Sequence, residues 1–156
     1  MGEEITFTAM NSLIGEYRNT LDDKGRILFP AKLRGALTAH SLFVTKSLDN
    51  CLWLYTPDRW NELQTKLLES TSSFSVRNRQ LVRRLLAPAQ EVEFDKAGRL
   101  SIPQILREYA SLTKECVIAG VGSKIELWDA EAYRKAVDEF EPSLEEAAEE
   151  LSGLRF

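Results

Sequence analysis

Glu91-Val92-Glu93-Phe94 alternates polar and apolar side chains, the period of a strand with one face buried. Asp95 comes next, and its carboxylate can accept bonds from nearby backbone N–H groups to open a turn. Gly98 supplies the turn position with positive φ. Residues 99–102 then read as a second strand. Pro103 fits the first position of a helix, where its missing N–H costs nothing, so residues 104–110 are predicted as a short helix. Two strands follow, over 115–121 and 124–128, around a Gly122-Ser123 turn. A longer helix over 130–140 closes the unit, with Tyr133, Ala136, Val137 and Phe140 on one face.

The same pattern stands earlier in the chain. Asp22, Gly25, Arg26 and Pro30 match Asp95, Gly98, Arg99 and Pro103, each pair 73 positions apart. The offset continues through Leu33-Arg34 on Leu106-Arg107, Val44 on Val117, Leu54-Tyr55 on Leu127-Trp128 and Trp60 on Tyr133. One short match arises by chance; a constant offset from Asp22 to Trp60 marks an internal duplication. The first copy therefore predicts strands over 17–21 and 26–29, a helix over 31–37 and strands over 42–47 and 51–55 around Asp49-Asn50. Its closing helix spans 58–68, with Trp60, Leu63 and Leu67 inward. Each repeat reads hairpin, short helix, hairpin, helix. Two such units, packed or interleaved, are expected to close a small pseudo-dimeric barrel without exposed edges, an α+β fold with flanking helices.

The remaining segments are read from their local pattern. Residues 1–14 are expected to be a flexible lead, 15–70 the first repeat and 88–140 the second. Between the repeats, the serine-rich stretch 69–75 leads into a helix over 76–86, within a connecting segment assigned to 71–87. Residues 141–156 form an acidic end, in which Ser143 and Glu146 have capping-box spacing ahead of a helix over 144–151.

Charge changes the picture of partners. The net charge is −4, but ten acids and only three bases lie from Glu126 onward. Residues 1–125 therefore hold 20 − 3 = 17 basic and 24 − 10 = 14 acidic side chains. A local basic surface matters more for phosphate binding than the total. The acidic end reads either as a solvated helix face or as charge that discourages unspecific binding. No apolar run is long enough for a membrane span, and the acidic start does not read as a signal peptide. Cys51 and Cys116 lie in predicted strands and read as buried, reduced thiols of a cytosolic protein.

Candidate chemistry concentrates on the repeated turn. Lys24 and Arg26 flank Gly25, and Lys96 and Arg99 flank Gly98. Such pairs can reach phosphates and base edges in a major groove, where arginine bonds guanine through two nitrogens. The competing reading pairs Arg26 and Arg99 only with Asp22 and Asp95 across their own turns. Arg77, Arg79, Arg83 and Arg84 either bind phosphate or rim a packed or subunit-contacting face with their stems on apolar surface. Trp53, Trp60 and Trp128 read as packing residues rather than stacking platforms for bases. His40 is the single histidine and is expected to be exposed in a loop. No Gly-rich phosphate loop and no nucleophile with a base is suggested, and neither a cofactor nor a metal is expected. The expectation is a protein that is not an enzyme.

The stretch from Tyr17 through Leu21-Asp22, Lys24-Gly25-Arg26-Ile27 and Pro30, with Cys51-Leu52-Trp53-Leu54-Tyr55 and Trp60, resembles the first repeat of the MraZ family. Residues 89–95, Gly98-Arg99-Leu100, Ile102-Pro103, 106–110 and Glu126-Leu127-Trp128 resemble the second. The likeness covers roughly Gly15 to Tyr133, and each repeat resembles, more distantly, the AbrB-type swapped-hairpin DNA-binding domain. The resemblance implies a bacterial, cytoplasmic, nucleoid-associated transcriptional regulator. It would repress the promoter of the division and cell-wall gene cluster that it heads, binding short direct repeats in double-stranded DNA as a ring-shaped homo-oligomer. The DNA-contacting residues it implies are Lys24, Arg26, Lys96 and Arg99, on turns formed by Asp22, Gly25, Asp95 and Gly98. Tyr133 in place of tryptophan and Lys124 in place of arginine depart from the family pattern outside the signature. The alternative is an antitoxin-like or scaffold module that mainly holds a protein partner.

Overall fold

The computed structural model describes residues 13–155. The expected lead falls mostly outside that range; Leu13 and Ile14 already belong to the first strand, β1 (Leu13–Thr20). The chain continues through β2 (Arg26–Leu28), α1 (Ala31–Ala36), β3 (Ser41–Lys46), β4 (Leu52–Tyr55) and α2 (Pro57–Ser70). After α3 (Val76–Leu86) come β5 (Gln90–Glu93), β6 (Arg99–Ser101), α4 (Gln104–Tyr109), β7 (Glu115–Gly122) and β8 (Ile125–Asp129). The chain ends with α5 (Ala130–Phe140), a short 3-10 turn (Glu141–Ser143) and α6 (Leu144–Glu149).

The fold is mixed α+β with antiparallel strands. One sheet has six strands in the order β1-β7-β8-β4-β3-β5, and β2 with β6 forms a separate two-stranded ribbon. The second hairpin of each repeat forms as expected, β3 with β4 and β7 with β8. The first does not extend beyond its turn. Leu21 makes a single bridge to Ile27, and then β1 pairs along its length with β7 of the other repeat. Likewise β5 pairs with β3 of the first repeat.

The expected closed barrel is therefore not what forms: β1 and β5 end an open sheet. The physical reason lies in the ribbon strands. Each is three residues long and is stopped almost at once by Pro30 or Pro103, which have no N–H to continue a ladder.

Interleaving places a pseudo-twofold axis through two strand pairs. Ile27 faces Leu100 in the ribbon and Trp53 faces Glu126 between β4 and β8. Both pairs are 73 positions apart, the offset of the duplication. The offset is not constant everywhere. Val44 pairs with Leu54, whereas the residue paired with Leu127, the counterpart of Leu54, is Ile118 and not Val117. One extra residue precedes β7, and the stretch between the paired residues Gly120 and Ile125 is one residue shorter than that between Lys46 and Leu52, which restores the register. The core confirms the shift, because Val44 and Ile118 are both fully buried in the main cluster.

That cluster lies between the sheet and the ribbon. Ile27, Phe29, Leu100 and Ile102 enter it from the ribbon and its flanks, and Leu42, Leu52, Leu54, Ile125 and Leu127 from the sheet. A smaller cluster on the other sheet face joins Cys51, Val117, Ala119 and Trp128 beneath α5. Trp60 stacks on Phe43 with centroids 5.5 Å apart, and Trp128 meets Tyr133 edge-on at 5.7 Å, so both are packing residues. Both cysteines are buried free thiols, and burial pushes each up to about 12. The predicted capping box does not form: Ser143 makes no side-chain cap bond, because the 3-10 turn already leads into α6. No described helix is long and apolar enough to cross a membrane.

Candidate nucleic-acid interface

The two copies of the signature build the same turn. Gly25 N–H bonds Asp22 O at 3.0 Å and Asp22 N–H bonds Arg26 O at 2.9 Å. Gly98 with Asp95, and Asp95 with Arg99, repeat these bonds at 2.9 Å each. This is a three-residue loop closed by a glycine at positive φ, +78° in Gly25 and +84° in Gly98.

The aspartate organises each loop. Asp22 Oδ1 accepts from the backbone N–H of Arg26 at 2.8 Å and of Lys24 at 2.9 Å. Its Oδ2 accepts from Arg26 Nε at 2.8 Å. Asp95 accepts from Arg99 N–H, Ala97 N–H and Arg99 Nε at 2.9, 2.9 and 2.8 Å. The backbone bond from Arg26 does most to hold Asp22 below its usual carboxylate range, and that from Arg99 does the same for Asp95. The expected alternative partnership is thus real: both arginines pair with their own aspartates.

That pairing does not bury them. The Arg26 and Arg99 side chains keep 29% and 35% of their surface exposed. The bond uses Nε, the nitrogen nearest the stem, and leaves the two terminal nitrogens at the far edge of each guanidinium. An arginine gripped at Nε is oriented, and its terminal nitrogens form the fork suited to a bidentate acceptor.

Pairing of the ribbon brings the two turns into one surface. Arg26 faces Ser101 and Leu28 faces Arg99 across the ladder. Side chains alternate along a strand, so these four share one face, and Ile27 and Leu100 share the other. The inner pair is 0% exposed, whereas Leu28 is 44% exposed. Arg26 and Arg99 are diagonal neighbours, with backbones roughly 7–8 Å apart. Lys24 and Lys96 lie exposed in the turns at opposite ends of the ribbon. The sequence suggested two separate hairpin tips; the structure instead makes one ribbon with an arginine in each of its end pairs and a lysine in the turn beyond each end.

Two further residues complete the arrangement and were missed by local sequence reading. Arg107 lies over Gly25, and Arg34 lies over Gly98, each from the opposite repeat. Arg107 Nη1 donates to Ile102 O at 2.8 Å, and Arg34 Nε donates to Phe29 O at 3.1 Å. The signal was present in the match of Leu33-Arg34 to Leu106-Arg107, but its meaning depends on cross-repeat packing. Phe29 N–H also bonds Gly98 O at 3.1 Å, and Ile102 N–H bonds Gly25 O at 2.9 Å. Each turn is therefore clamped by the other repeat. A Cβ at either glycine would collide with the guanidinium above it.

A family model described as "MraZ protein, putative antitoxin-like" matches residues 13–84 and again 85–155. A protein named "Transcriptional regulator MraZ" from Treponema denticola is 49% identical over 144 residues, covering 92% of this chain and 100% of that one. Two proteins of the same name from Treponema pallidum strains are each 41% identical over 144 residues, covering 92% of this chain and 97% of theirs.

Proposed function

Because the chain belongs to the MraZ family, we propose that it is a DNA-binding transcriptional regulator whose β2–β6 ribbon enters the major groove. The observation that carries this reading is the shared outer face of Arg26 and Arg99 on a ribbon whose inner face is sealed in the core. A major groove about 12 Å wide admits a two-stranded ribbon. Arg26 and Arg99 supply contacts to base edges, and Lys24 and Lys96 contact flanking phosphates, the division of labour between specificity and positioning. Asp22 and Asp95 aim the arginines, and Gly25 and Gly98 permit the turns. The interleaving of the repeats supports a swapped-hairpin, AbrB-like ancestry for this body.

The reading extends to the target and the assembly. The protein represses the promoter of the division and cell-wall gene cluster that it heads, in the bacterial cytoplasm and at the nucleoid. It binds short direct repeats as a ring-shaped homo-oligomer. One chain offers only a small basic footprint, so affinity comes from several copies engaging several repeats, an effect of high local concentration. A gel shift with DNA from just upstream of its own gene tests the proposal. A shift that a scrambled fragment does not compete away is expected. No selective shift would instead favour a module that holds a protein partner.

A further inference from the structure

The chain carries two exposed surfaces that neither the core nor the ribbon uses, and they are complementary. The first lies between the C-terminal part of α2 and α3, a groove of about 750 Å³ lined by Leu68, Thr71, Val82 and Leu86 with Arg79 and Arg83. Phe74 and Val76 stand exposed beside it, Phe74 at 94%. Residues 70–90 hold four arginines and no acid. The second surface is the end of α5 with α6. Residues 136–154 hold seven acids and no base. Val137, Phe140, Leu144, Ala148 and Leu151 follow one another at helical spacing, with Phe140 61% exposed, and α6 has no buried residue. Such a stripe is what an amphipathic helix presents to an apolar groove. No described residue of the acidic end lines the α2–α3 groove of its own chain.

We propose that the acidic α5–α6 end of one copy docks in the arginine-rimmed α2–α3 groove of the next copy. The inference rests on the self-assembly part of the proposed function and names the contact that makes it. The six residues of α6 span about 9 Å and the eleven of α3 about 16 Å, so the short acidic helix can lie along α3. The contact is heterologous, because groove and helix are different patches, so repeating it builds a ring or an open chain of copies. It also explains why the acidic end and the α3 arginines occur together in one chain. Acids that seat on a neighbour's arginines no longer repel the phosphates approached by the ribbon.

Charge reversal in the whole 156-residue chain tests this. One variant carries Arg79→Glu with Arg83→Glu, and a second carries Glu145→Arg with Glu149→Arg. Native mass measurement of the wild type is expected to give a particle several times 17.7 kDa. Each variant alone is expected to lose that particle at unchanged helix content. An equimolar mixture of the two is expected to regain it, because each then offers the surface that the other fits. Variants that keep the wild-type mass would overturn the docking while leaving self-assembly intact. Variants that lose it and fail to recover on mixing would also overturn the docking. A wild type that stays a single chain at micromolar concentration would overturn the assembly reading itself.

Discussion

At the scale of the residue, Asp22 and Asp95 matter as much as the arginines they hold. Asp22→Asn keeps an oxygen for the backbone N–H groups but turns an amide N–H toward Arg26 Nε, so the guanidinium loses its anchor. It also removes a negative charge near the proposed phosphate path. Preference for the upstream DNA over a scrambled duplex is therefore expected to fall, while affinity for the scrambled duplex holds or rises; fluorescence anisotropy on both duplexes measures this. The same carboxylates give a pH dependence. Their folded-state pKa values lie below the usual carboxylate value. A group depressed in this way contributes stability above its unfolded pKa and loses it as pH falls through the folded pKa. Thermal midpoints are thus expected to drop below about pH 4, and less so in a variant with both aspartates replaced by asparagine. Cys51 and Cys116, buried with thiols pushed up to about 12, are expected to react with a thiol reagent at pH 8 only after unfolding in urea.

At the scale of the element, the ribbon is where local and distant information meet. Gly98→Ala forces a side chain into φ +84° and against the Arg34 guanidinium. A loss of about 1–3 kcal/mol is expected from urea titration. Ile27→Ala empties a fully buried position on the ribbon's inner face, with an expected loss of about 2–5 kcal/mol. Much of this element was readable in advance. Asp, Gly, Arg and Pro at fixed spacing specified turn, strand and helix start, because each acts through its own backbone neighbours. Helix α3 was placed at its observed limits, because the serine-rich stretch 69–75 marks where it starts. Which strand pairs with which was not readable. The turn between β1 and β2 looks like a hairpin from within, yet β1 finds its partner in β7, about a hundred residues away in sequence. Arg34 escaped notice for the same reason: on its own short helix it reads as surface charge, and its place over Gly98 depends on packing of the other repeat.

At the scale of the whole molecule, duplication supplies symmetry and the symmetry supplies the proposed site. The axis through Ile27–Leu100 makes the two turns extend a single ribbon, so two weak cationic loops become one surface. From Glu126 onward the chain holds ten acids against three bases, so the rest of it carries a small excess of positive charge. Binding is expected to weaken steeply with salt, since phosphate contacts release counterions. The most direct test compares wild type with Arg26→Ala plus Arg99→Ala on the upstream fragment, by anisotropy at several salt concentrations beside thermal unfolding. The account predicts an unchanged melting midpoint to within a few degrees, selective binding lost, and a shallower salt dependence. A double variant that binds the fragment as tightly and as selectively as wild type would contradict it.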